Sequence, residues 1–188
     1  MKIKPFVTDY LTRLKLILDN IDSEVISDIV NALEQTIKNK SRIYIIGNGG
    51  SSATASHMVN DLGAGLRRRN IVNFDVVSLG DNSPVVTAIA NDIGYENIFF
   101  MQMKGLINPS DIVIAISCSG DSPNIIKAAD YAQDLGCTII GATGFNGGYL
   151  KSMSDISFHV DVSKNEYGLV EDTHMILDHI IYSYYIQK

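Results

Sequence analysis

Tryptophan is absent from this 188-residue chain, and cysteine occurs only twice. The two cysteines, Cys118 and Cys137, lack the spacing of a zinc knuckle or a redox pair. They are read as reduced thiols, which fits a cytoplasmic protein. Long apolar runs are missing too, and no stretch approaches the ~20 residues of a membrane helix. The opening MKIKPFVTDYLTRLK is broken by Pro5 and by charges, so no signal peptide is expected. Basic residues are outnumbered, 15 against 21 acids, for a net charge of −6. That balance argues against a nucleic-acid binder, which carries a positive stripe. The single basic cluster is Arg67-Arg68-Arg69. It reads as a solvated helix end, with contact to a phosphate or an acidic partner as the lesser alternative.

What is present is ordinary for a globular protein, with 46% hydrophobic and 19% charged residues. The length suits one domain, residues 1–188, with a real core. Residues 1–40 form an N-terminal helical segment. Leu11, Leu14 and Leu18 make one helical stripe, and Ile26, Ile29, Leu33 and Ile37 make a second, with a break near Asn20–Asp22. These helices pack either on a partner subunit or on the chain's own sheet. Strands are expected at 43–46, 74–79, 111–116, 137–142 and 156–160. The helices between them are expected at 85–90, 96–104 and 123–135, and a last one at 169–185. Strands alternating with helices predict a three-layer α/β fold, a five-stranded parallel sheet flanked by helices.

The chain is organised around RIYIIGNGGSSATASHMVNDL, Arg42 to Leu62. A buried strand runs into Gly47-Asn48-Gly49-Gly50, a natural turn. Ser51 is expected to cap the following helix, whose free amides would attract an anion. His57 and Asp61 stand at i and i+4 on that helix. A second signal is Ser117-Cys118-Ser119-Gly120-Asp121-Ser122, at a strand's carboxyl end and before a helix opened by Pro123. Hydroxyls and free amides gathered there suit a phosphate monoester; a capped turn that binds nothing is the equal alternative. A third is Glu171-Asp172-Thr173-His174 followed by Asp178-His179. Two imidazoles and two carboxylates, from His57, Asp61, Glu171 and His179, could hold Zn²⁺ or share acid–base work. His174 is read as structural. A nucleotide cofactor is not expected. Serine stands at position 52 where G-x-G-x-x-G needs glycine, Asp81 comes too late for a ribose contact, and no Gly-Lys-Ser/Thr follows.

The stretches GNGGSSATASH and ISCSGDSPN and the ED-TH-x4-H helix resemble the sugar isomerase (SIS) domain, and more narrowly the phosphoheptose isomerase family. The likeness covers nearly the whole chain, including AxANDxGYE at Ala88–Glu96. It implies a homotetramer with sites between subunits, interconverting a ketose phosphate and an aldose phosphate without a redox cofactor. It implies that Ser51, Ser117, Ser119 and Ser122 hold the phosphate, near the backbone of Asn48, Gly49 and Gly50. Cys118 lies in the same loop, and Asn91 and Asp92 would line the cleft. Asp61 stands at the family's catalytic, zinc-binding glutamate and Glu171 at its glutamine. His57 and His179 match its histidine ligands, and His179 its acid–base partner.

The departures bear on the substrate. Asp61 is one methylene shorter than glutamate, a reach of ~1.5 Å lost. Gly168 and Leu169 replace an Asp-Arg pair, and Gly65 replaces an arginine. The reading is a cytoplasmic sugar-phosphate isomerase acting on sedoheptulose 7-phosphate, with no nucleic-acid or membrane partner. The alternative is a non-catalytic SIS-domain sugar-phosphate sensor or adaptor.

Overall fold

Apolar residues that alternate between two buried faces need cover on both sides. In β1 (Arg42–Gly47), Ile43 and Ile45 enter one core while Tyr44 and Ile46 enter the other. A computed structural model, describing residues 2–188, shows how that cover is supplied. β1 is joined by β2 (Asp75–Ser78), β3 (Ile112–Ser117), β4 (Thr138–Gly144) and β5 (Ile156–Val160) in one parallel sheet of order β2-β1-β3-β4-β5. Helices α2 (Ser23–Asn39), α3 (Gly50–Met58) and α8 (Tyr167–Gln187) cover one face through residues such as Leu33, Met58 and Leu177. The other face takes α6 (Pro123–Asp134), α7 (Gly148–Met153) and the short α5 (Phe100–Met103). The three-layer expectation holds.

The strand order reverses between β1 and β3. An open parallel sheet has a crevice at such a point, outside the strands' carboxyl ends. The loops that leave those ends are Asn48–Gly49 and Cys118–Ser122, so the two sequence signals meet there.

Several expectations need correction. Ser51 does not cap α3: the cap position is Gly49, at φ +53°, and Ser51 already lies within the helix. Glycine tolerates that φ, where a side chain is strained. The helix expected at 85–90 is longer, α4 (Ser83–Ile93), and Asn82 caps it by accepting from the Val85 amide at 3.3 Å. The expected helix 96–104 divides into a single 3₁₀ turn at Tyr95–Asn97 and α5. A short helix not expected from the sequence, α7, lies between β4 and β5. Beyond α3 the helix widens into a π segment, Val59–Gly65.

The first two helices differ in how they are buried. The break at Asn20–Asp22 is real, and Asp22 caps α2 by accepting from the Glu24 amide at 2.9 Å. α2 packs on the chain's own sheet through Ile29 and Leu33. α1 (Ile3–Asp19) has no buried residue and leaves Ile3, Val7, Leu11 and Leu16 exposed. It is tied to α8 by Tyr10 donating to Asp172 at 2.6 Å and by an Arg13–Glu166 ion pair at 2.8 Å. Among the described residues, no helix is long and apolar enough to cross a membrane.

Candidate active site

Two neighbouring features make the site, a hydroxyl-lined cavity and a cluster of imidazoles and carboxylates. The cavity, about 170 Å³, is lined by Ser51 from α3, by Ser117, Cys118, Ser119 and Ser122 from the β3–α6 loop, and by Asn48, Tyr167 and Glu171. Within the loop, Ser117 Oγ accepts from the Gly120 amide at 3.1 Å, and Ser119 Oγ accepts from the Asp121 amide at 3.3 Å. Those bonds use the oxygens as acceptors. Ser119 O–H stays available as a donor, which is what phosphate oxygens need. Ser117 and Ser122 lie within 3.3 Å of one another.

Glycine sets the cavity's width. A Cβ on Gly50 would run into the Glu171 carboxylate. Asn48 has its side chain committed elsewhere. It exchanges two amide hydrogen bonds with Asn124, at 2.8 and 2.9 Å, and accepts a third from Tyr95 Oη at 2.9 Å. Its side chain therefore fixes the glycine loop to α6. Cys118 is held protonated: burial, then the nearby Glu171 carboxylate, push its thiol up to about 11. A thiol is a poor nucleophile beside a thiolate. Asn91 and Asp92 lie exposed on the last turn of α4, paired with each other at 2.9 Å, and do not line the cavity.

The second feature is assembled from α3, the π segment and α8. His57 Nε2 and His179 Nε2 lie 3.2 Å apart, with the rings edge to face. His57 Nε2 is 3.5 Å from Asp61 Oδ2 and 3.8 Å from Asp178 Oδ2. One donor atom from each of the four residues falls within 4.8 Å of the others. Two nitrogens bound at ~2.0–2.1 Å in a tetrahedral shell sit about 3.3 Å apart. The donor set therefore fits a zinc-class dication. π segments recur at functional sites, and this one carries Asp61, whose other oxygen accepts from Asn60 at 2.8 Å.

Glu171 is not in this cluster, contrary to the ligand set His57, Asp61, Glu171 and His179. The reason is helical rise: Glu171 and His179 are eight residues apart, about 12 Å along the axis. Glu171 faces the serine cavity, and Asp178 stands with the histidines. Sequence reasoning gave Asp178 no role. The available signal was an acid between Leu177 and His179 on an apolar helix. Asp178 is fully buried, and burial, with the Asp61 charge second, pushes its carboxyl up to about 7. His174 stands apart from the cluster: its Nε2 lies 3.3 Å from the Thr143 carbonyl, and burial pushes it down to about 4. Tyr95, Asn124 and Tyr167 were also missed, since nothing local in the sequence marks them.

Residues 9–144 match the SIS domain. The chain is 34% identical over 168 residues to phosphoheptose isomerase of Helicobacter pylori, covering 89% of this chain and 85% of that one. It is 35% identical over 156 residues to phosphoheptose isomerase of Trichlorobacter lovleyi, covering 83% and 78%. This chain belongs to the SIS-domain family of phosphoheptose isomerases. Solved structures agree. The Francisella tularensis phosphoheptose isomerase superposes with a TM-score of 0.89 at 27% identity, and that from Neisseria gonorrhoeae with 0.86 at 25%, both over the full length of each chain. Family membership makes an isomerase the reading to test against this geometry.

Proposed function

We propose that this chain interconverts sedoheptulose 7-phosphate and an aldoheptose 7-phosphate through an enediol. The observation that carries this is the convergence of His57 and His179, from helices 122 residues apart, beside a cavity with the donors of an anion site. Ser51, Ser117, Ser119 and Ser122 hold the phosphate, together with amides of the glycine loop. The loop's hydroxyls and amides satisfy several phosphate oxygens at once. Glu171 meets the sugar hydroxyls that follow.

Chain length supports a seven-carbon substrate. From Ser51 to His57 is six residues, about 9 Å of helical rise. In an extended chain three bonds span roughly 3.5 Å, so the eight bonds from C1 to phosphorus span about 9 Å. With phosphate among the serines, C1 and C2 reach the imidazoles.

In the reaction a carboxylate removes the proton beside the carbonyl and an acid–base group serves the oxygen. In the metal-free site Asp61 is the carboxylate, and His179 moves the proton at the sugar oxygen. General acid–base work of this kind contributes 10²–10⁴-fold. His57, Asp61 and His179 would hold zinc, which when bound supplies charge stabilisation at a carbonyl oxygen. The family resemblance further supports a homotetramer, to which the exposed apolar face of α1 would contribute, and a cytoplasmic location. Purified protein incubated with sedoheptulose 7-phosphate forms aldose. Absence of aldose, with and without added zinc, overturns the assignment.

A further inference from the structure

Neither the serine cavity nor the family likeness accounts for Asp178. Its side chain has no exposure, and neither carboxylate oxygen has a hydrogen-bond partner among the described residues. Leu177 and Ile181 flank it in the core. A carboxylate in such a place is costly unless something cationic or hydrogen-bonding meets it. Among the described residues, no lysine or arginine pairs with it. What does face it is the other half of a coordination shell: His57 Nε2 at 3.8 Å, with Asp61 and His179 donors inside the same 4.8 Å group.

The exposure is graded. Asp178 and Asp61 are buried, at 0% and 6%, while His57 is half-buried and His179 is exposed. The acids form the floor and the imidazoles the rim, so an ion can enter from solvent. Two aspartates and a dication cancel in charge, and imidazole with carboxylate is a donor mixture suited to zinc.

We propose that Asp178 is a ligand of the divalent cation, so that this chain's metal set is His57, Asp61, Asp178 and His179, complete within one subunit. Glu171 is thereby released to the serine cavity. The inference rests on the metal-dependent reading above, yet it concerns ion binding and stands or falls without turnover.

The test is zinc binding by the metal-free full-length chain, measured by competition with a chromophoric chelator. Asp178→Asn keeps the shape and removes the charge. It is expected to weaken zinc at least tenfold, while Glu171→Gln stays within twofold of the parent. Zinc should raise the melting temperature of the parent and of Glu171→Gln, and raise that of Asp178→Asn much less. Equal zinc affinity in Asp178→Asn and the parent overturns the proposal, as does a loss in Glu171→Gln as large as that in Asp178→Asn. Should Asp178→Asn not fold, anomalous diffraction from zinc-soaked crystals of the unmodified protein decides. An ion at ~2.0–2.2 Å from an Asp178 oxygen supports the assignment. An ion bound by the histidines with Asp178 outside that distance overturns it. If zinc binds as expected and sedoheptulose 7-phosphate is not turned over, the substrate reading fails and the ligand assignment stands.

Discussion

The serine cavity and the imidazole–carboxylate cluster are built on the same two helices, yet they are opposite kinds of site. The cavity is made of short loops at the carboxyl ends of β1 and β3, with small donors and backbone amides. The cluster is made of two imidazoles and two carboxylates one to two helical turns further on, groups that titrate or bind a cation. One is suited to hold an anion still, the other to move protons or hold a cation. Along α3 the two are offset by helical rise, about 9 Å from Ser51 to His57.

That contrast can be broken by variants that affect one half alone. The largest effect is expected from His179→Ala, which removes the acid–base group. Turnover should fall about 10³-fold with little change in KM, as measured by initial rates of aldose formation. A change confined to KM would reverse the roles given to the two halves.

His174 lies on α8 between Glu171 and Asp178 and belongs to neither half. In the folded chain it is held neutral down to about 4, against 6.5 when unfolded. The unfolded state therefore takes up a proton first as pH falls. The contribution is fully present above 6.5 and lost as pH drops toward 4. The expected loss is about 3 kcal/mol. Burial is the main cause of the lowered value, the Thr143 carbonyl opposes it, and the His159 charge adds a smaller lowering. Urea unfolding at pH 7 and pH 4.5 should show a steeper acid loss in the parent than in His174→Leu, which cannot titrate. Equal slopes would show that His174 charges in the folded state at ordinary cost.

Ser119→Ala sharpens the comparison from the other side. A hydrogen bond to a charged oxygen is worth about 1.5–3 kcal/mol, so KM should rise at least tenfold while zinc affinity holds. Zinc loss in that variant would mean that the halves are coupled. The smallest effect is expected from Tyr95→Phe, which removes one hydrogen bond to Asn48. A neutral bond contributes about 1 kcal/mol, so KM should rise about fivefold with kcat kept. An unchanged KM would show that Asn124 alone fixes the glycine loop.

The cavity was legible because its parts are local. Glycines after a buried strand, and serines before a proline-opened helix, give away their place in one stretch of chain. The sheet was legible for the same reason, down to β5, whose bounds agree with expectation. The cluster was half legible. His57 and His179 were marked by likeness and do meet. The fourth member was not, because choosing between Glu171 and Asp178 needs the helix's rise and rotation relative to α3. The π segment was hidden too: Gly63 and Gly65 permit it, but the widening depends on packing. A Cβ on Gly63 would meet Val76 of β2 at 2.9 Å. Tyr95 reaches Asn48 from 47 residues away, a contact that only the folded chain defines.

The most direct measurement follows sedoheptulose 7-phosphate by proton NMR in D₂O with the protein, without and with added zinc. An aldose anomeric signal should grow, with deuterium appearing at C2 as the carboxylate returns a proton drawn from solvent. A ketose spectrum that stays unchanged would contradict the account.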